Sequence, residues 1–259
     1  EQGRIAFYLR DPLASIALAD LDTPKVAEWR DRRKREVSGS TVIRDMVILS
    51  HACRVARDEW HWLSVNPFTK AGRPKANRPR DRLVLPGELE LLRHAAGTDY
   101  QYATARVIAA FEFAIETGMR GGEICGLLAD QVRGNVAYLT HTKNGDKRDV
   151  PLSARAREII AAMPRRVGAQ GTRPHGGIVH LNAPVFGLSP AIKDALFRKI
   201  RARAGIVGLN YHDSRHTAIT MLSRKLDVLA LARVVGHRDI RQLQTYYNES
   251  AEELARRLD

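Results

Sequence analysis

The chain of 259 residues is 44% hydrophobic and 27% charged, a balance that excludes a disordered chain and is typical of a soluble globular protein with two domains. The formal net charge of +13 favours nucleic acid as a partner, with a basic enzyme that binds no nucleic acid as the alternative. The two cysteines, Cys53 and Cys125, lie far apart, which excludes a disulfide framework and a thiolate zinc site and favours a cytoplasmic location.

The first predicted elements, before residue 70, are helices. Thr23 is predicted to be the N-cap of a helix whose first position is Pro24. A longer helix is predicted to follow Ser40 and to end before Asn66–Pro67. Its apolar residues recur at helical spacing and are Val42, Met46, Leu49, Cys53 and Ala56.

A basic linker is predicted over residues 70–82, which read KAGRPKANRPRDR. Prolines, a glycine and charged residues without apolar periodicity are typical of a linker. Its positive charge would suit contact with DNA phosphates, and a solvated charged linker is the other interpretation. The candidate DNA-binding residues are Lys70, Arg73, Lys75, Arg78, Arg80 and Arg82.

The next predicted elements are one apolar helix and a β-hairpin. Residues 104–117 are strongly apolar, and Gly118 is suited to end that helix. Residues 136–141 and 148–152 read as strands on either side of Asn144–Gly145, a dipeptide typical of tight hairpin turns.

The last predicted elements are again helical. Ser189–Pro190 is predicted to begin a helix that ends near Gly205, and Gly236 is predicted to end another. Ser250 and Glu253 form a capping box before a short C-terminal helix. The predicted fold is therefore mainly α with a small β-sheet or hairpin.

The chemistry that this chain could perform on DNA starts from a late tyrosine. A tyrosine hydroxyl can hold a DNA phosphate covalently, but its pKa of about 10 makes it a weak nucleophile at neutral pH. It needs cations that neutralise the developing phosphorane and a donor that protonates the departing deoxyribose oxygen. Two arginines suit the first task, because a guanidinium binds two phosphate oxygens and stays charged, and a lysine or histidine suits the second.

Five segments carry such a set in order: TGMRGGEICGL at 117–127, HTKNGDKRDVPL at 141–152, YHDSRHT at 211–217, VVGH at 234–237 and QTYYNES at 244–250. Together they resemble the motifs of the tyrosine recombinases of the phage integrase type. Each single motif is weak, whereas the ordered set is specific. The resemblance implies a catalytic set of Arg120, Lys143, His212, Arg215, His237 and Tyr246.

Several residues beside these motifs keep two interpretations. Glu123 is suited to cap the next helix or to buttress the Arg120 guanidinium. His216 is interpreted as a packing or hydrogen-bonding residue with a supporting role at the phosphate. It does not form a zinc site with His212, because the Glu of the zinc motif and a third ligand are missing. Tyr247 competes with Tyr246 for the role of nucleophile, and the spacing to the Gly-His element favours Tyr246.

The resemblance implies a helical core-binding domain at 1–69, the linker at 70–82 and a catalytic domain at 83–259. It further implies a homotetramer on double-stranded DNA, accessory DNA-bending or directionality factors, a 3′-phosphotyrosine intermediate, and no metal, ATP or other cofactor. Relaxation of DNA by a type IB topoisomerase, or DNA binding without catalysis, are the alternatives.

We also form expectations for the two ends of the chain and for association with membranes. The sequence begins with Glu1 rather than Met, so we expect a segment upstream, such as the arm-binding domain of many integrases. Residues 251–258 form an amphipathic tail that would pack on its own domain or on a neighbouring subunit. No membrane partner is expected, because no run approaches about 20 apolar residues.

Overall fold

Helices make up most of the computed structural model, which describes residues 2–78, 80–140, 147–164 and 183–247. The chain divides into two units, Glu1–Arg80 and Asp81–Asp259. In the described residues of the second unit, three short strands form one small sheet. The predicted fold class, mainly α with a small β-sheet, is confirmed.

The first unit contains three α-helices, α1 (Gln2–Leu9), α2 (Thr23–Glu36) and α3 (Gly39–Asp58), with 3₁₀ turns at Pro12–Ser15 and Leu18–Asp20. The prediction that Thr23 caps α2 was wrong by one residue. The N-cap is Asp22, because its carboxylate accepts a hydrogen bond from the Lys25 backbone N–H at 2.9 Å.

Helix α3 begins earlier than predicted and ends before Asn66, as predicted. It begins at Gly39 and ends at Asp58, well before Asn66. The chain beyond it is irregular and is fixed by Asn66, whose side chain donates to the Ser50 carbonyl at 2.8 Å and accepts from the Phe68 N–H at 3.0 Å. A buried asparagine thus satisfies two backbone groups in the irregular chain that follows the helix.

The core of the first unit lies between α2 and α3. Its buried side chains are Val26, Trp29, Val42, Met46, Cys53, Phe68 and Ala71. One carboxylate, that of Asp45, is buried beside this core, where it accepts from the Tyr8 hydroxyl at 2.8 Å and from Arg33 Nε at 3.2 Å. The buried charge is therefore paired and hydrogen-bonded.

The first part of the predicted linker is attached to the first unit. The Asn77 N–H donates to the Ser40 hydroxyl at 2.8 Å, and the Arg30 guanidinium donates to the Gly72 carbonyl at 2.8 Å. A Cβ atom at Gly39 would collide with the Lys75 carbonyl, so glycine is required there. Residues 72–77 are therefore held by α2 and α3 rather than extended in solvent.

The second unit contains seven further helices and the sheet within its described residues. In chain order the elements are α4 (Pro86–Ala96), α5 (Ala103–Thr117), α6 (Gly121–Gly126), β1 (Val132–Arg133), β2 (Val136–Leu139), β3 (Arg148–Pro151), α7 (Ala154–Ala162), α8 (Pro190–Arg203), α9 (Asp213–Ser223) and α10 (Val228–Val235). Short 3₁₀ turns cover Ala129–Gln131, Ile240–Gln242 and Gln244–Tyr246.

Helix α5 is the centre of the second unit. Nearly every residue from Ala105 to Thr117 is buried, and α4, α7, α8 and α9 pack around it. Gly118 ends the helix in a left-handed conformation with φ 64°, as its position predicted. This packing fixes the end of α5 from which the following turn and α6 start.

The sheet is antiparallel in the order β1-β2-β3. Leu139 pairs with Arg148 and Val136 with Pro151, so β2 and β3 are adjacent antiparallel strands as predicted, while β1 was not predicted. The turn at Asn144–Gly145 lies outside the described residues.

The predicted signals for the late helices are also observed. The Ser189 hydroxyl caps α8 by accepting from the Ile192 N–H at 3.2 Å, and Gly236, with φ 66°, ends α10. The capping box of Ser250 and Glu253 and the tail at 251–258 lie outside the described residues. Among the helices that are described, none combines the length and the apolar character needed to cross a membrane.

Candidate active site

Arg120 lies at the start of α6, immediately after the turn that ends α5. Its backbone N–H donates to Glu123 Oε2 at 2.8 Å, and its Nη1 donates to Glu123 Oε1 at 2.9 Å. Glu123 therefore performs both of the roles left open above, since it caps α6 and holds the guanidinium. The Nη2 of Arg120 reaches the Gly236 carbonyl at 3.1 Å, which ties the first motif to the end of α10.

Arg215 lies in the first turn of α9, and only 4% of its surface is exposed. Its Nη1 donates to the Gly118 carbonyl, and its Nη2 donates to the Val235 carbonyl at 2.6 Å. Both carbonyls end helices, where the partial negative charge favours a cation. Burial, together with repulsion from Arg120 and Arg148, lowers the pKa of Arg215 to about 9, so the guanidinium remains charged at neutral pH.

A third arginine, Arg148, was not predicted as a site residue. It begins β3, is 7% exposed, and donates to the Val235 carbonyl and to Glu123 Oε2, the latter at 2.6 Å. Burial lowers its pKa, and the negative charge of Glu123 opposes that shift. The sequence carried one signal: Arg148 is two residues from the apolar Val150, so strand alternation places both on the inner face.

Gly236 permits the close approach of these arginines. Its backbone is left-handed, and a Cβ atom at this position would collide with the Arg148 guanidinium. The glycine of the Gly-His element is thus a steric requirement of the arginine cluster.

The two predicted histidines border the arginines. His212 immediately precedes α9, and burial, reinforced by the charge of Arg215, lowers its pKa. His237 follows Gly236, and burial together with repulsion from Arg215 and Arg120 lowers its pKa to about 4. The Nδ1 atom of His237 is buried and has no hydrogen-bond partner among the residues that the structure describes. Both rings are therefore neutral at pH 7.

The two adjacent tyrosines have different partners. The Tyr246 hydroxyl lies 2.6 Å from His216 Nδ1, and burial raises its pKa while the charge of Arg215 opposes that rise. The Tyr247 hydroxyl donates to the Leu226 carbonyl at 2.7 Å. The segment that carries them is a 3₁₀ turn, Gln244–Tyr246. The Tyr246 hydroxyl thus lies within electrostatic range of Arg215.

The cluster of Arg120, Arg148, Arg215 and Glu123 carries three positive charges and one negative charge, a net charge of +2. It lies beside His212, His237 and the Tyr246 hydroxyl, because the positive charge of Arg215 lowers the pKa of each of these groups. A buried excess of positive charge beside a hydroxyl suits a phosphate diester, because guanidinium groups bind phosphate oxygens in pairs.

The remaining predicted site residues are Lys143 and the basic residues of the linker. Lys143 lies outside the described residues. In the first unit, Lys70, Arg73, Lys75, Arg78 and Arg80 are exposed. In the second unit, Arg82 pairs with Glu88 at 3.0 Å, which neutralises its charge. Within the described ranges, no group of three or more His, Cys, Asp and Glu side chains could hold a metal ion.

Comparison with known proteins identifies relatives of this chain by sequence and solved structures with the same fold. The profile of the phage integrase family matches residues 84–253. An integrase/recombinase of Haemophilus influenzae is 31% identical over 266 residues, covering 100% of this chain and 83% of the relative. The shufflon-specific DNA recombinase of Escherichia coli is 32% identical over 259 residues, covering 98% of this chain and 63% of the relative.

Two solved structures have the same fold. The Tn1549 transposon integrase in complex with circular intermediate DNA superposes with a TM-score of 0.73 at 20% identity, covering 100% of this chain and 92% of that chain. The lambda integrase dimer bound to a COC′ core site superposes with a TM-score of 0.72 at 19% identity, covering 97% of this chain and 87% of that chain.

Proposed function

The chain belongs to the phage integrase family of tyrosine recombinases, the site-specific recombinases that act on DNA, and on that premise we propose that Tyr246 attacks a DNA phosphodiester held by Arg120 and Arg215. The attack joins the Tyr246 oxygen to the 3′ phosphate and releases the 5′ oxygen of the next nucleotide. A 5′ hydroxyl of a second strand then reverses the step and joins the two strands.

The observation that carries the proposal is the buried excess of positive charge beside the Tyr246 hydroxyl. Arg215 and Arg148 are buried, and within the described residues the Glu123 carboxylate pairs with Arg148 and Arg120. Helix-end carbonyls hold the guanidiniums in place, so they would not have to reorganise when a phosphate enters. Fixed charge of this kind stabilises a pentacoordinate phosphorane more than the bound phosphate diester, because negative charge builds up on its oxygens.

The remaining roles follow from the chemistry of each side chain. His212 and His237, neutral in the free protein, would donate hydrogen bonds to phosphate oxygens. Lys143 would protonate the departing 5′ oxygen, and its assignment rests on its place in the sequence motif. Because the energy of the broken bond is kept in the phosphotyrosine bond, the reaction needs neither ATP nor a metal ion.

The assembly and its DNA contacts are proposed on the same premise. Lambda integrase has been crystallised as a tetramer bound to a Holliday junction, and we propose a homotetramer on two DNA sites for this chain, with accessory DNA-bending or directionality factors. Residues 1–69 would form the core-binding domain and 83–259 the catalytic domain. Of the linker residues, we propose Lys70, Arg73, Lys75, Arg78 and Arg80 for phosphate contacts because they are exposed, whereas Arg82 is half-buried and pairs with Glu88.

Covalent trapping tests the proposal. The protein is incubated with a nicked DNA junction of its own element in the presence of EDTA, and adducts are separated on denaturing gels. Wild type and Tyr247→Phe should form a protein–DNA adduct, and Tyr246→Phe should form none. Loss of the adduct only in Tyr247→Phe would move the nucleophile by one residue, and tight DNA binding without any adduct would favour a non-catalytic DNA-binding protein. Relaxation of supercoiled plasmid without strand exchange would favour the topoisomerase alternative.

A further inference from the structure

One proton has no acceptor in the reaction proposed above, the proton of the Tyr246 hydroxyl. A phenol with a pKa near or above 10 is almost fully protonated at neutral pH, and burial raises the pKa of Tyr246 further. The proton must leave as the oxygen forms its bond to phosphorus. Arg120 and Arg215 cannot take it, because a guanidinium has no free lone pair.

His216 is the described side chain that hydrogen-bonds this hydroxyl. Its Nδ1 lies 2.6 Å from the Tyr246 oxygen, within the range required of a general base. The two ring centroids are 5.3 Å apart, with an angle of 55° between the rings. When the imidazole carries its proton on Nε2, Nδ1 presents a lone pair to the hydroxyl.

The position of His216 is fixed by the helix that also carries Arg215. Helix α9 packs on the central helix α5, and the Arg215 guanidinium is hydrogen-bonded to helix-end carbonyls. His216 follows Arg215 directly, and its own carbonyl accepts from the Thr220 hydroxyl at 3.0 Å. The group that would bind the phosphate and the group that would accept the proton are thus held on one rigid element. Preorganisation of this kind is what general base catalysis requires.

We propose that His216 is the catalytic proton acceptor for Tyr246, a role that rests on the proposed function. As the Tyr246 oxygen bonds to phosphorus, its proton moves to His216 Nδ1. The bond between phosphorus and the 5′ oxygen breaks, and that oxygen takes a proton from Lys143. In the rejoining step, the attacking 5′ hydroxyl gives its proton back to Lys143. The imidazolium returns its proton to Tyr246 as the phosphotyrosine bond breaks, so protons balance over the full cycle.

The test measures the rate of adduct formation on two DNA substrates. One has a normal 5′ oxygen, and the other has a 5′-bridging sulfur, whose thiolate leaves without needing a proton. His216→Gln should slow the reaction about 100-fold on both substrates, because it removes a general base. Lys143→Ala should be slow only on the normal substrate. This difference separates a defect at the nucleophile from a defect at the leaving group.

Chemical rescue distinguishes a catalytic role of His216 from a purely structural one, because added imidazole can replace a missing base but not a missing packing contact. His216→Gly leaves a ring-sized space beside Tyr246, and added imidazole should restore part of the lost rate. The matched control is His94→Gly, a glycine substitution at an exposed histidine of α4, which should change neither the rate nor the response to imidazole. Circular dichroism and DNA binding establish that the variants are folded.

The outcomes separate this inference from the proposed function. If wild type forms an adduct that Tyr246→Phe lacks, and His216→Gln forms it at the wild-type rate or faster, His216 is not the acceptor and the proposed function stands. Slow His216 variants that imidazole does not restore would also overturn the assignment. If wild type forms no adduct, both proposals fail.

Discussion

The two units of this protein bury charge in opposite ways. In the first unit, the buried Asp45 carboxylate accepts from the Tyr8 hydroxyl and pairs with Arg33 and, at 3.9 Å, with Arg4. Arg33 also pairs with Glu36 at 2.8 Å, so two positive and two negative charges cancel. In the second unit, Arg148 and Arg215 are buried and Arg120 lies beside them. Among the described residues, the Glu123 carboxylate pairs with Arg120 and Arg148, and Arg215 is held by helix-end carbonyls.

The difference separates a structural ion cluster from a binding site. A buried cluster whose charges cancel has nothing left to attract a ligand, and it fixes the packing of α2, α3 and the N-terminal helix. A cluster with a net charge of +2 is held together by helix-end carbonyls, and its uncompensated positive charge attracts an anion. Excess buried charge carries an energetic cost that a bound phosphate would offset.

The largest effect should come from Arg148→Met. The substitution removes one of the two guanidiniums that neutralise the buried Glu123 carboxylate. We therefore expect the free energy of unfolding of the second unit, measured by thermal or denaturant unfolding, to fall by about 3–5 kcal/mol. Arg157→Met, at an exposed arginine of α7, is the control and should change stability by less than about 0.5 kcal/mol. Equal stability of wild type and Arg148→Met would show that Glu123 does not depend on this partner.

Lysine substitutions test most directly whether the buried charge of each unit serves catalysis or only stability. Arg215→Lys keeps the charge but loses the paired donors, and should slow adduct formation at saturating DNA by about 10²–10³-fold. Arg33→Lys, in the paired cluster of the first unit, should lower stability without slowing the step. A comparable rate loss in Arg33→Lys would mean that the buried charge of the first unit also serves catalysis.

A smaller effect is expected from Gly236→Ala, which tests whether the arginine cluster of the second unit needs the space that this glycine leaves. The left-handed backbone alone costs a non-glycine residue about 1–2 kcal/mol, and the new Cβ would also displace Arg148. Gly205→Ala has the same left-handed strain with open space around its Cβ. Gly236→Ala should therefore lose both stability and adduct formation, and Gly205→Ala stability alone. Equal adduct rates in the two variants would contradict the steric role of Gly236.

The smallest effect concerns the pH dependence of stability. His237 has a pKa of about 4 in the folded protein, below the value of about 6.5 in an unfolded chain. Between these values the unfolded state binds more protons, so stability should fall as the pH is lowered from about 6.5 towards 4. His237→Gln should show a weaker fall in denaturant titrations across that range.

Binding should act on the same histidine. A phosphate group beside Arg215 and Arg120 would offset their repulsion and raise the pKa of His237, which can be followed by NMR of the ring protons with and without DNA. A pKa of His237 that is unchanged by DNA would place the phosphate elsewhere.

Much of the site could be predicted from the sequence because its parts lie in local motifs. Arg120 follows a helix-ending glycine, Arg215 is three residues from His212, and Tyr246 is nine residues from His237. The structure brings these described residues into one cluster, while their catalytic roles, like that of Lys143, stay predictions.

What could not be predicted depends on contacts between distant parts of the chain. Arg148 read as an ordinary strand residue, because its partners Glu123 and Val235 are 25 and 87 residues away. The double role of Glu123 stayed open for the same reason. The error at Thr23 had a local cause, since the preceding Asp22 is an equally good capping residue.

Val235 contributes to this site through its backbone alone. Its carbonyl accepts from both Arg148 and Arg215, while its side chain is fully buried in the apolar cluster of α10. Alanine scanning at this position would report only lost packing. Replacing the peptide bond between residues 235 and 236 by an ester would instead weaken the shared acceptor and leave both side chains intact. The site therefore depends on the position of the Val235 carbonyl rather than on its side chain, and a conservative exchange such as Val235→Ile would keep that carbonyl in place.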